Sequence, residues 1–573
     1  MATGYRNRFS KPVSVYANWA AYDELSDNIR LTEEITIRQF YEMQRMREKG
    51  VRFDYYLIDA FWFSKEGGYR KWRKPDWPDH GPEKFLKLCA EHNVIPGIWV
   101  STNFRVAADD YWFLDVIPEW EDSLASHGRS FCLFHGGYLS HFMESLQMLV
   151  ELGFKMIKFD FADFDAATPE IEKTHTAKEI RDNNVSAFIS AMKIFRFRNP
   201  EVLFLAYNGF DGDYSNTATP FRQTINMHWL EVFDSLYCGD PRLSDTPFSN
   251  FWRSKDHYTD HMVSQYELNG IPLKRIDNCG FMIGNTGTCY HRGKSGWKAA
   301  LILSLARGGW MNVYYGDLAL LEHEDAKWFG KAQKLFLPFQ EYGQINTMGG
   351  IPGEAMPYGY IAGDREGSVL TVVNPEQKVN DIRLNELTGG KYDAAEILFA
   401  DEGFAPGIKN HVLKVGPEQM VVVGYGKYAE KKYYLGSGDF HRIPSEIIKA
   451  ETYPINVKGN SMEAMLMVTA GYDLLITVQQ FDKESELPLR SSGGGEPHGT
   501  RMNEIFKLTV SQHEKTIPFQ EPYDKAIWSG LSWVCAKIDS RHIEPGEPVK
   551  IQFSTMEKAE VNLELKTYLA KLS

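Results

Sequence analysis

Acidic and aromatic residues in this chain stand at the ends of short apolar segments. Asp59 and Trp62 close one such segment, and Trp99 lies near the end of the next. Lys158 and Asp160 lie in a third, and later segments end in three more polar residues: Asn208, Asp240 and Asp317. Paired carboxylates can divide acid, base and nucleophilic roles, and tryptophan rings offer flat apolar faces to a ligand. A lone Asp after a strand is most often a turn former or helix cap, so the chemistry requires several of them to meet.

Eight apolar segments between residues 12 and 343 are predicted to be β-strands. They are mostly continuous, the pattern of parallel strands buried on both faces. Amphipathic segments lie between them, and one of these, Phe142 to Val150, precedes Gly153, which predicts a helix end there. The predicted strands are 14–19, 53–61, 94–102, 155–161, 202–209, 234–240, 275–283 and 310–317.

Eight strand–helix pairs predict an α/β fold, a (β/α)8 TIM barrel with some enlarged loops. The alternative is an open doubly wound sheet. It is disfavoured because no predicted strand is followed by a glycine-rich GxGxxG turn. In a (β/α)8 barrel the polar side chains at the carboxyl ends of the strands line the active site. The polar residues named above would therefore meet at one mouth of the barrel.

The pattern changes after the barrel, where short β-type segments alternate with Gly, Asn and Asp turns. We predict a catalytic barrel at 1–345, a small antiparallel β-sandwich at 346–430, and a second all-β domain, sandwich or jelly-roll-like, at 431–573. The stretch SSGGGEPHG (491–499) is predicted to be a mobile loop within the last domain.

Composition indicates a globular chain and excludes several partners. The 573 residues are 43% hydrophobic and 14% aromatic, more apolar surface than disordered chains carry. The net charge of −13 disfavours binding to nucleic acid or to an anionic membrane. Six cysteines without a CxxC pair, and no secretory leader, predict a reducing, cytoplasmic location. A trimmed secreted form and a homo-oligomer both remain open.

Enzymes that hydrolyse glycosidic bonds use two carboxylates, and aromatic rings beside them can stack on a sugar. One carboxylate attacks the anomeric carbon or activates water, and the other protonates the leaving oxygen. Lys158 and Asp160 point the same way because side chains alternate along a strand. We therefore expect the Lys158 ammonium to lower the pKa of Asp160, as a nucleophile requires.

The segments that carry these residues resemble glycoside hydrolase families 36 and 27, the α-galactosidase (melibiase-like) clan. MIKFDFADF resembles the Lys-x-Asp motif that ends the fourth strand of those barrels. FDYYLIDAFWF resembles the strand that ends Asp-Asp-Gly-Trp in family 36, and HGPEKFLKLCAEHNVIPGIWV resembles the helix and third strand that follow. The resemblance implies a retaining α-glycosidase that acts on an oligosaccharide or glycoside through a covalent glycosyl-aspartate.

The resemblance also assigns the catalytic pair. It makes Asp160 the nucleophile and Lys158 a ligand of sugar hydroxyls. The acid/base residue of the family follows strand 6, which selects Asp240 in LYCGDPRLSD, with Asp245 in the same loop as the rival.

For the substrate pocket, the resemblance implies that Asp59 binds the distal hydroxyls of the sugar and that Asn208 faces O2. Ala60 replaces the second family aspartate, which reads O4 and O6, and Phe61 replaces a glycine. The resemblance is therefore to a divergent member or to a neighbouring family in the same clan, and the loss of one carboxylate that reads axial O4 weakens the case for galactose. Two aromatic residues are expected around Asp59: Trp62 and Trp99.

The sequence allows other functions besides a glycosidase. A non-catalytic carbohydrate-binding barrel would keep the tryptophans and hydroxyl ligands, but the presence of two candidate carboxylates favours an enzyme. A transglycosylase would share the same covalent intermediate. Cys279, Cys289 and His291 suggest zinc, but their spacing fits no usual site and a fourth ligand is missing. We predict neither a metal nor a cofactor.

Overall fold

A computed structural model describes most of the chain. It covers residues 11–22, 30–105, 114–210, 226–239, 257–284, 294, 296–342, 344–352, 356–376, 378–388, 394–401, 403–438, 444–484, 506–520, 533–555 and 560–572. Within these ranges, no helix is both long and apolar enough to cross a membrane.

The described residues fall into two compact units. The first is drawn from 1–241, 258–282 and 307–343, and the second from 242–257, 283–306 and 344–573. The three-domain division drawn from the sequence stays a prediction.

The elements of the barrel region alternate strands with helices. In chain order they are β1 (Val13–Ala17), α1 (Glu33–Arg47), β2 (Tyr55–Ile58), β3 (Phe63–Ser64), β4 (Gly68–Trp72), α2 (Glu83–Glu91), β5 (Ile95–Ser101), α3 (Tyr138–Leu152), β6 (Met156–Asp160), α4 (Ile171–Thr174), α5 (Ala177–Arg198), β7 (Leu203–Ala206), α6 (Trp229–Val232), β8 (Ser235–Leu236), α7 (His257–Leu268), β9 (Asn278–Ile283), α8 (Trp297–Ala306), β10 (Met311–Gly316) and α9 (His323–Tyr342). Short 3-10 turns lie at Glu121–Ser123, Leu273–Arg275 and Leu318–Leu320.

Eight of these strands form one sheet in the order β8-β7-β6-β5-β2-β1-β10-β9. The registers from β10 through β1, β2, β5, β6 and β7 to β8 are all parallel. A parallel bridge joins Leu236 in β8 to Ile276, just before β9, and the Asp277 N–H donates to the Leu236 carbonyl at 2.9 Å. These contacts join the two ends of the sheet, so the predicted (β/α)8 barrel is confirmed.

Each of the eight predicted strands overlaps a strand of this sheet. Their alternate side chains fill the interior, as Leu203, Leu205 and Tyr207 do along and just beyond β7. The predicted helix end at Gly153 is also confirmed, because this glycine caps α3 at a φ of 122°. A positive φ favours glycine, since a Cβ would crowd the backbone there.

The chain beyond the barrel is β-rich. Its elements are β11 (Ile345–Gly349), β12 (Tyr358–Gly363), β13 (Gly367–Val373), β14 (Asn380–Arg383), α10 (Leu384–Thr388), β15 (Ala395–Ala400), β16 (Gly407–Lys409), β17 (Val412–Val415), β18 (Met420–Gly426), β19 (Gly436–Ser437), β20 (Pro444–Ala450), β21 (Tyr453–Lys458), β22 (Ser461–Met467), β23 (Tyr472–Asp482), β24 (Phe506–Gln512), β25 (Lys515–Thr516), β26 (Trp533–Ile538), β27 (Pro548–Thr555) and β28 (Val561–Leu572). Further 3-10 turns lie at Lys427–Ala429, Lys431–Tyr433 and Ser540–His542.

These strands build two sandwiches. The sheets β11-β12-β13-β18-β15-β19 and β14-β17-β16 share one apolar core, to which Leu370 of β13 and Leu413 of β17 belong. The sheets β20-β28-β23-β26 and β21-β22-β27-β24-β25 share another, to which Ile476 of β23 and Ile551 of β27 belong. The predicted all-β character of this part of the chain is confirmed.

One helical segment is less solvated than the spacing of its charges indicates. The charges of RSKDHYTDH (253–261) are spaced like a solvated helix face. Within the described part of this segment, however, Asp260 on α7 is fully buried, and the Arg307 guanidinium donates to it at 2.9 Å. A buried charge requires such a partner. Arg307 lies 47 positions further along the chain, so helical spacing alone could not reveal the pair.

Candidate active site

Asp160 is the last residue of β6, and four N–H groups donate to its carboxylate. Its Oδ1 accepts from the Phe161 N–H at 2.9 Å and from the backbone and side-chain nitrogens of Asn208 at 3.1 and 2.9 Å. Its Oδ2 accepts from the Trp99 indole N–H at 3.0 Å. All four donors are neutral. They stabilise a carboxylate and fix its orientation, and they leave more lone-pair capacity on Oδ2 than on Oδ1.

A close approach between two loops places Asn208 against Asp160. The Ala162 N–H donates to the Asn208 carbonyl at 3.0 Å. The next residue, Gly209, has a φ of 96°, and a Cβ there would lie 2.1 Å from the Ala162 carbonyl oxygen. Only glycine fits this crossing. The chain after β7 can therefore reach the carboxylate at the end of β6.

Lys158 pairs with Asp59 across the barrel mouth. Its ammonium donates to Asp59 Oδ2 at 3.0 Å, and both side chains are almost completely buried. Burial raises the pKa of Asp59, and Lys158 opposes that rise. The sequence paired Lys158 with Asp160 by strand alternation. In the structure the ion pair that Lys158 makes is with Asp59, because the side chain extends across the barrel towards β2.

The two predicted tryptophans are fully buried, at 0% exposure for Trp62 and 1% for Trp99. Trp62 donates its indole N–H to the Trp99 carbonyl at 2.9 Å, and its ring lies 4.3 Å from that of Trp72. Trp99 donates to Asp160, as described above. In this arrangement both tryptophans support and orient the strand ends, and neither presents an open face to a ligand.

Two residues at the end of β1 belong to the same mouth, and the sequence analysis did not select them. Asn18 accepts the Asp59 N–H through its Oδ1 at 2.8 Å. Trp19 is only partly buried, and its ring lies 6.2 Å from that of Phe61. Trp19 thus keeps accessible surface at this mouth, unlike Trp62 and Trp99. Asn18 and Trp19 end the predicted strand SVYANW. Asp59 was selected because it ends a predicted strand, and the same criterion could have selected these two residues.

The two departures from the family pattern at the end of β2 have different consequences. Phe61 adopts a φ of 75°, a conformation that glycine takes readily. Its ring lies between those of Trp19 and Trp99, 6.2 and 6.3 Å away. Ala60 is buried and its N–H donates to Asp59 Oδ1 at 2.9 Å. The Ala60 side chain offers no polar atom at this position.

Two other aspartates in this region have structural roles. Asp317 caps the 3-10 turn at Leu318–Leu320 and accepts from Gln39 at 2.7 Å. Asp163 accepts from Ser130 and from the Asp165 N–H, contacts that hold its loop.

The predicted acid/base residue lies outside the described residues. The described chain stops at Gly239 and resumes at His257, so both Asp240 and its rival Asp245 fall in the interval. Cys289 and His291 also fall outside the described residues, whereas Cys279 is buried inside the barrel.

Neither a protein-family model nor a curated protein matches this chain. Solved structures with a related backbone include α-galactosidase I from Mortierella vinacea, which is 11% identical over 74% of this chain and 98% of its own, with a TM-score of 0.46. Trehalose-6-phosphate hydrolase from Bacillus licheniformis is 10% identical over 73% of this chain and 99% of its own, with a TM-score of 0.47. Isomaltulose synthase from Klebsiella is 10% identical over 73% of this chain and all of its own, with a TM-score of 0.45. Likenesses this distant say nothing about reaction or substrate, so a function must be argued from the site itself.

Proposed function

We propose that this protein is a retaining α-glycosidase, α-galactosidase-like, that removes terminal α-linked sugars through a covalent intermediate on Asp160. The observation that carries the proposal is the setting of Asp160. A carboxylate at the end of a barrel strand is held by four neutral N–H donors, beside a buried Lys158–Asp59 pair. This arrangement presents one oriented oxygen next to groups that can bind hydroxyls.

In the first step, Asp160 Oδ2 attacks the anomeric carbon and the bond to the leaving oxygen breaks. Oδ2 is the attacking atom because it accepts one hydrogen bond whereas Oδ1 accepts three. Asp240, as a carboxylic acid, gives its proton to the leaving oxygen. The products of this step are the free alcohol and a glycosyl ester of Asp160.

In the second step, water attacks the anomeric carbon from the face that the leaving group vacated. The Asp240 carboxylate takes the proton of that water, and the ester bond to Asp160 breaks. Two inversions restore the α configuration. A transglycosylase would replace the water with a second sugar, and the products distinguish the two outcomes.

The sugar itself would be held by polar groups that the barrel already orients. Lys158 can donate to hydroxyl oxygens through the exposed 6% of its side chain, and Asp59, which is 1% exposed, holds the ammonium in place from behind. Asn208 faces the same carboxylate from the β7 side. Because Ala60 offers no polar atom on its side chain, we expect weak discrimination at O4, or preference for another sugar such as an α-glucoside, a pentopyranoside or a substituted galactoside.

A panel of aryl α-glycosides tests the proposal. The wild-type protein should hydrolyse at least one of them with retention, and Asp160→Ala should hydrolyse none, because no ester can form. Asp165→Asn is the matched control, since Asp165 is an exposed carboxylate five positions along, paired with Arg181. It should keep wild-type activity. If both variants keep their activity, or if both lose it equally, Asp160 is not the nucleophile.

The acid/base assignment needs its own test. Asp240→Ala should retain attack on activated aryl glycosides, whose leaving groups need little protonation, and should lose natural glycosides by several powers of ten. Azide needs no base and should rescue turnover with an α-azide product. If azide rescues Asp245→Ala instead, the acid/base role belongs to Asp245.

A further inference from the structure

A buried carboxyl group inside the barrel has no role in the mechanism above. Asp277, directly before β9, is completely inaccessible to solvent. Its Oδ2 accepts a hydrogen bond from the Tyr207 hydroxyl at 2.7 Å, from a residue 70 positions earlier in the chain. Its Oδ1 is buried and has no hydrogen-bond partner among the described residues. A carboxylate would leave that oxygen's charge unsolvated, which is costly.

A chain of contacts connects Asp277 to the candidate sugar site. The Tyr207 hydroxyl also lies in hydrogen-bond contact with the Tyr315 hydroxyl. The Lys158 ammonium lies 4.2 Å from the centre of the Tyr207 ring and 5.2 Å from that of Tyr315. These distances are typical of cation–π contacts. The two rings therefore hold the same ammonium that donates to Asp59.

Charge balance places a proton on Asp277. Lys158 is the cation that contacts this cluster in the described structure, and it is bound directly to Asp59. One cation neutralises one carboxylate, so the second carboxyl in this dry interior is more stable when uncharged. Burial raises the pKa of Asp277 to about 7, although the Tyr207 hydrogen bond and Lys158 both act to lower it. Among the described residues, the titratable and charged groups of this cluster are Asp59, Lys158, Tyr207, Tyr237, Cys238, Cys279 and Tyr315.

We propose that Asp277 is a positioning residue that carries a proton in the working protein and, through Tyr207 and Tyr315, holds the Lys158 ammonium against Asp59. The inference rests on the proposed function only where it takes the Lys158–Asp59 pair to bind the sugar. When Asp277 loses its proton, a second anion competes for the Lys158 ammonium. The ion pair between Lys158 and Asp59 should then weaken, and the affinity for the sugar should fall with it.

The protonation of Asp277 also determines how the stability of the folded protein depends on pH. Between the ordinary Asp pKa of about 4 and about 7, the folded protein holds a proton on Asp277 that the unfolded chain has released. Folding stability must then fall as pH rises through this window, and the loss is complete above it.

Melting temperatures of the wild-type protein and Asp277→Asn, measured from pH 5 to pH 8, test the proton directly and require no substrate. Asparagine keeps the shape and an acceptor for Tyr207 but cannot ionise. The melting temperature of Asp277→Asn minus that of the wild type should rise from pH 5 to about pH 7 and level off above it. A difference that stays constant over this range would overturn the proposal.

Tyr207→Phe gives a second measurement in case Asp277→Asn folds poorly. It keeps the ring beside Lys158 and removes the hydroxyl that stabilises ionised Asp277. The pH at which the stability falls should therefore move upwards relative to the wild type. A shift in the opposite direction would contradict the assignment.

The pH dependence of KM, measured separately from that of kcat, tests the positioning role of Asp277. For an aryl glycoside, KM of the wild-type protein should rise about tenfold between pH 6 and pH 8, while KM of Asp277→Asn should change by less than about twofold. An equal rise in both variants would leave Asp277 without influence on the site and overturn this role. If no glycoside is hydrolysed at all, the proposed function fails, and the melting experiment still decides the proton on Asp277.

Discussion

At the scale of single residues, Lys158 and Asp160 lie two positions apart on β6 and have different partners. Asp160 is held by neutral donors, and Lys158 is bound to Asp59. The ammonium of Lys158 is thus paired with Asp59, the residue expected to bind hydroxyls. The orientation of the attacking oxygen comes from amide and indole N–H groups, whose geometry is set by backbone and packing.

Replacing Lys158 with Met should leave Asp59 as a buried carboxyl without its cation. Breaking a buried pair in this way costs about 3–5 kcal/mol. Because burial raises the pKa of Asp59 and Lys158 opposes the rise, its removal should raise that pKa further. The destabilisation should therefore grow as pH rises and shrink as Asp59 becomes protonated.

Thermal unfolding at pH 5 and pH 8 measures this effect. Lys155→Met is the matched control, since Lys155 forms an exposed ion pair with Glu201 that is worth about 1 kcal/mol or less. Adding Asp59→Asn to Lys158→Met should recover part of the stability at pH 8. A pH-independent loss in Lys158→Met would contradict the account.

Asn208→Ala removes one of the three donors to Asp160 Oδ1 and leaves its backbone N–H in place. A hydrogen bond to a charged group contributes about 1.5–3 kcal/mol, so kcat/KM should fall by about 10- to 100-fold. The fold itself should survive, because the side chain is partly exposed. Steady-state kinetics on an aryl α-glycoside that the wild-type protein hydrolyses checks this, and unchanged kcat/KM would remove Asn208 from the site.

At the scale of elements, the site depends on how closely the chain after β7 approaches the chain after β6. The Ala162–Asn208 hydrogen bond and the conformation of Gly209 define that approach. A parallel barrel brings the ends of neighbouring strands together, and the turn residues then decide which groups touch.

Gly209→Ala should therefore lower both stability and activity. Its Cβ would collide with the Ala162 carbonyl and push Asn208 away from Asp160. Gly153→Ala is a matched control, because Gly153 also has a positive φ, 122°, but nothing lies within 4 Å of its Cβ position. It should cost only about 1–2 kcal/mol of backbone strain and keep kcat/KM. Equal activity in the two variants would refute the positioning role of this crossing.

At the scale of the whole molecule, the barrel carries the candidate site and the β-rich chain beyond it builds separate cores. The core of the last sandwich takes all its buried members from 466–569. A core closed within one segment is the requirement for independent folding.

Residues 438–573, expressed alone, should fold and melt cooperatively. Calorimetry or far-ultraviolet circular dichroism measures this, and the single-site variant Ile476→Ala should lower the melting temperature, since Ile476 is fully buried in that core. A cost of about 2–5 kcal/mol is expected for this truncation. Absence of any cooperative transition would show that the sandwich needs the rest of the chain.

The sequence by itself determined the barrel and the position of its polar strand ends. Continuous apolar strands that alternate with helices allow a doubly wound sheet or a (β/α)8 barrel, and the absence of a GxGxxG turn after any predicted strand favoured the barrel. The placement of Asp59, Lys158, Asp160 and Asn208 near one another follows from that fold, because parallel strands end at the same face. Strand alternation likewise predicts that Lys158 and Asp160 share a side of β6.

Only the tertiary structure decided which of these groups touch. Alternation gives the face of a side chain, but its partner depends on neighbouring strands and on the path of a long side chain across the barrel. For this reason Lys158 meets Asp59, 99 positions away. Trp62 and Trp99 are buried behind the strand ends while Trp19 keeps accessible surface, because loop packing sets exposure. The contact between Tyr207 and Asp277 likewise exists only once the barrel closes, since it joins strands that no local pattern connects.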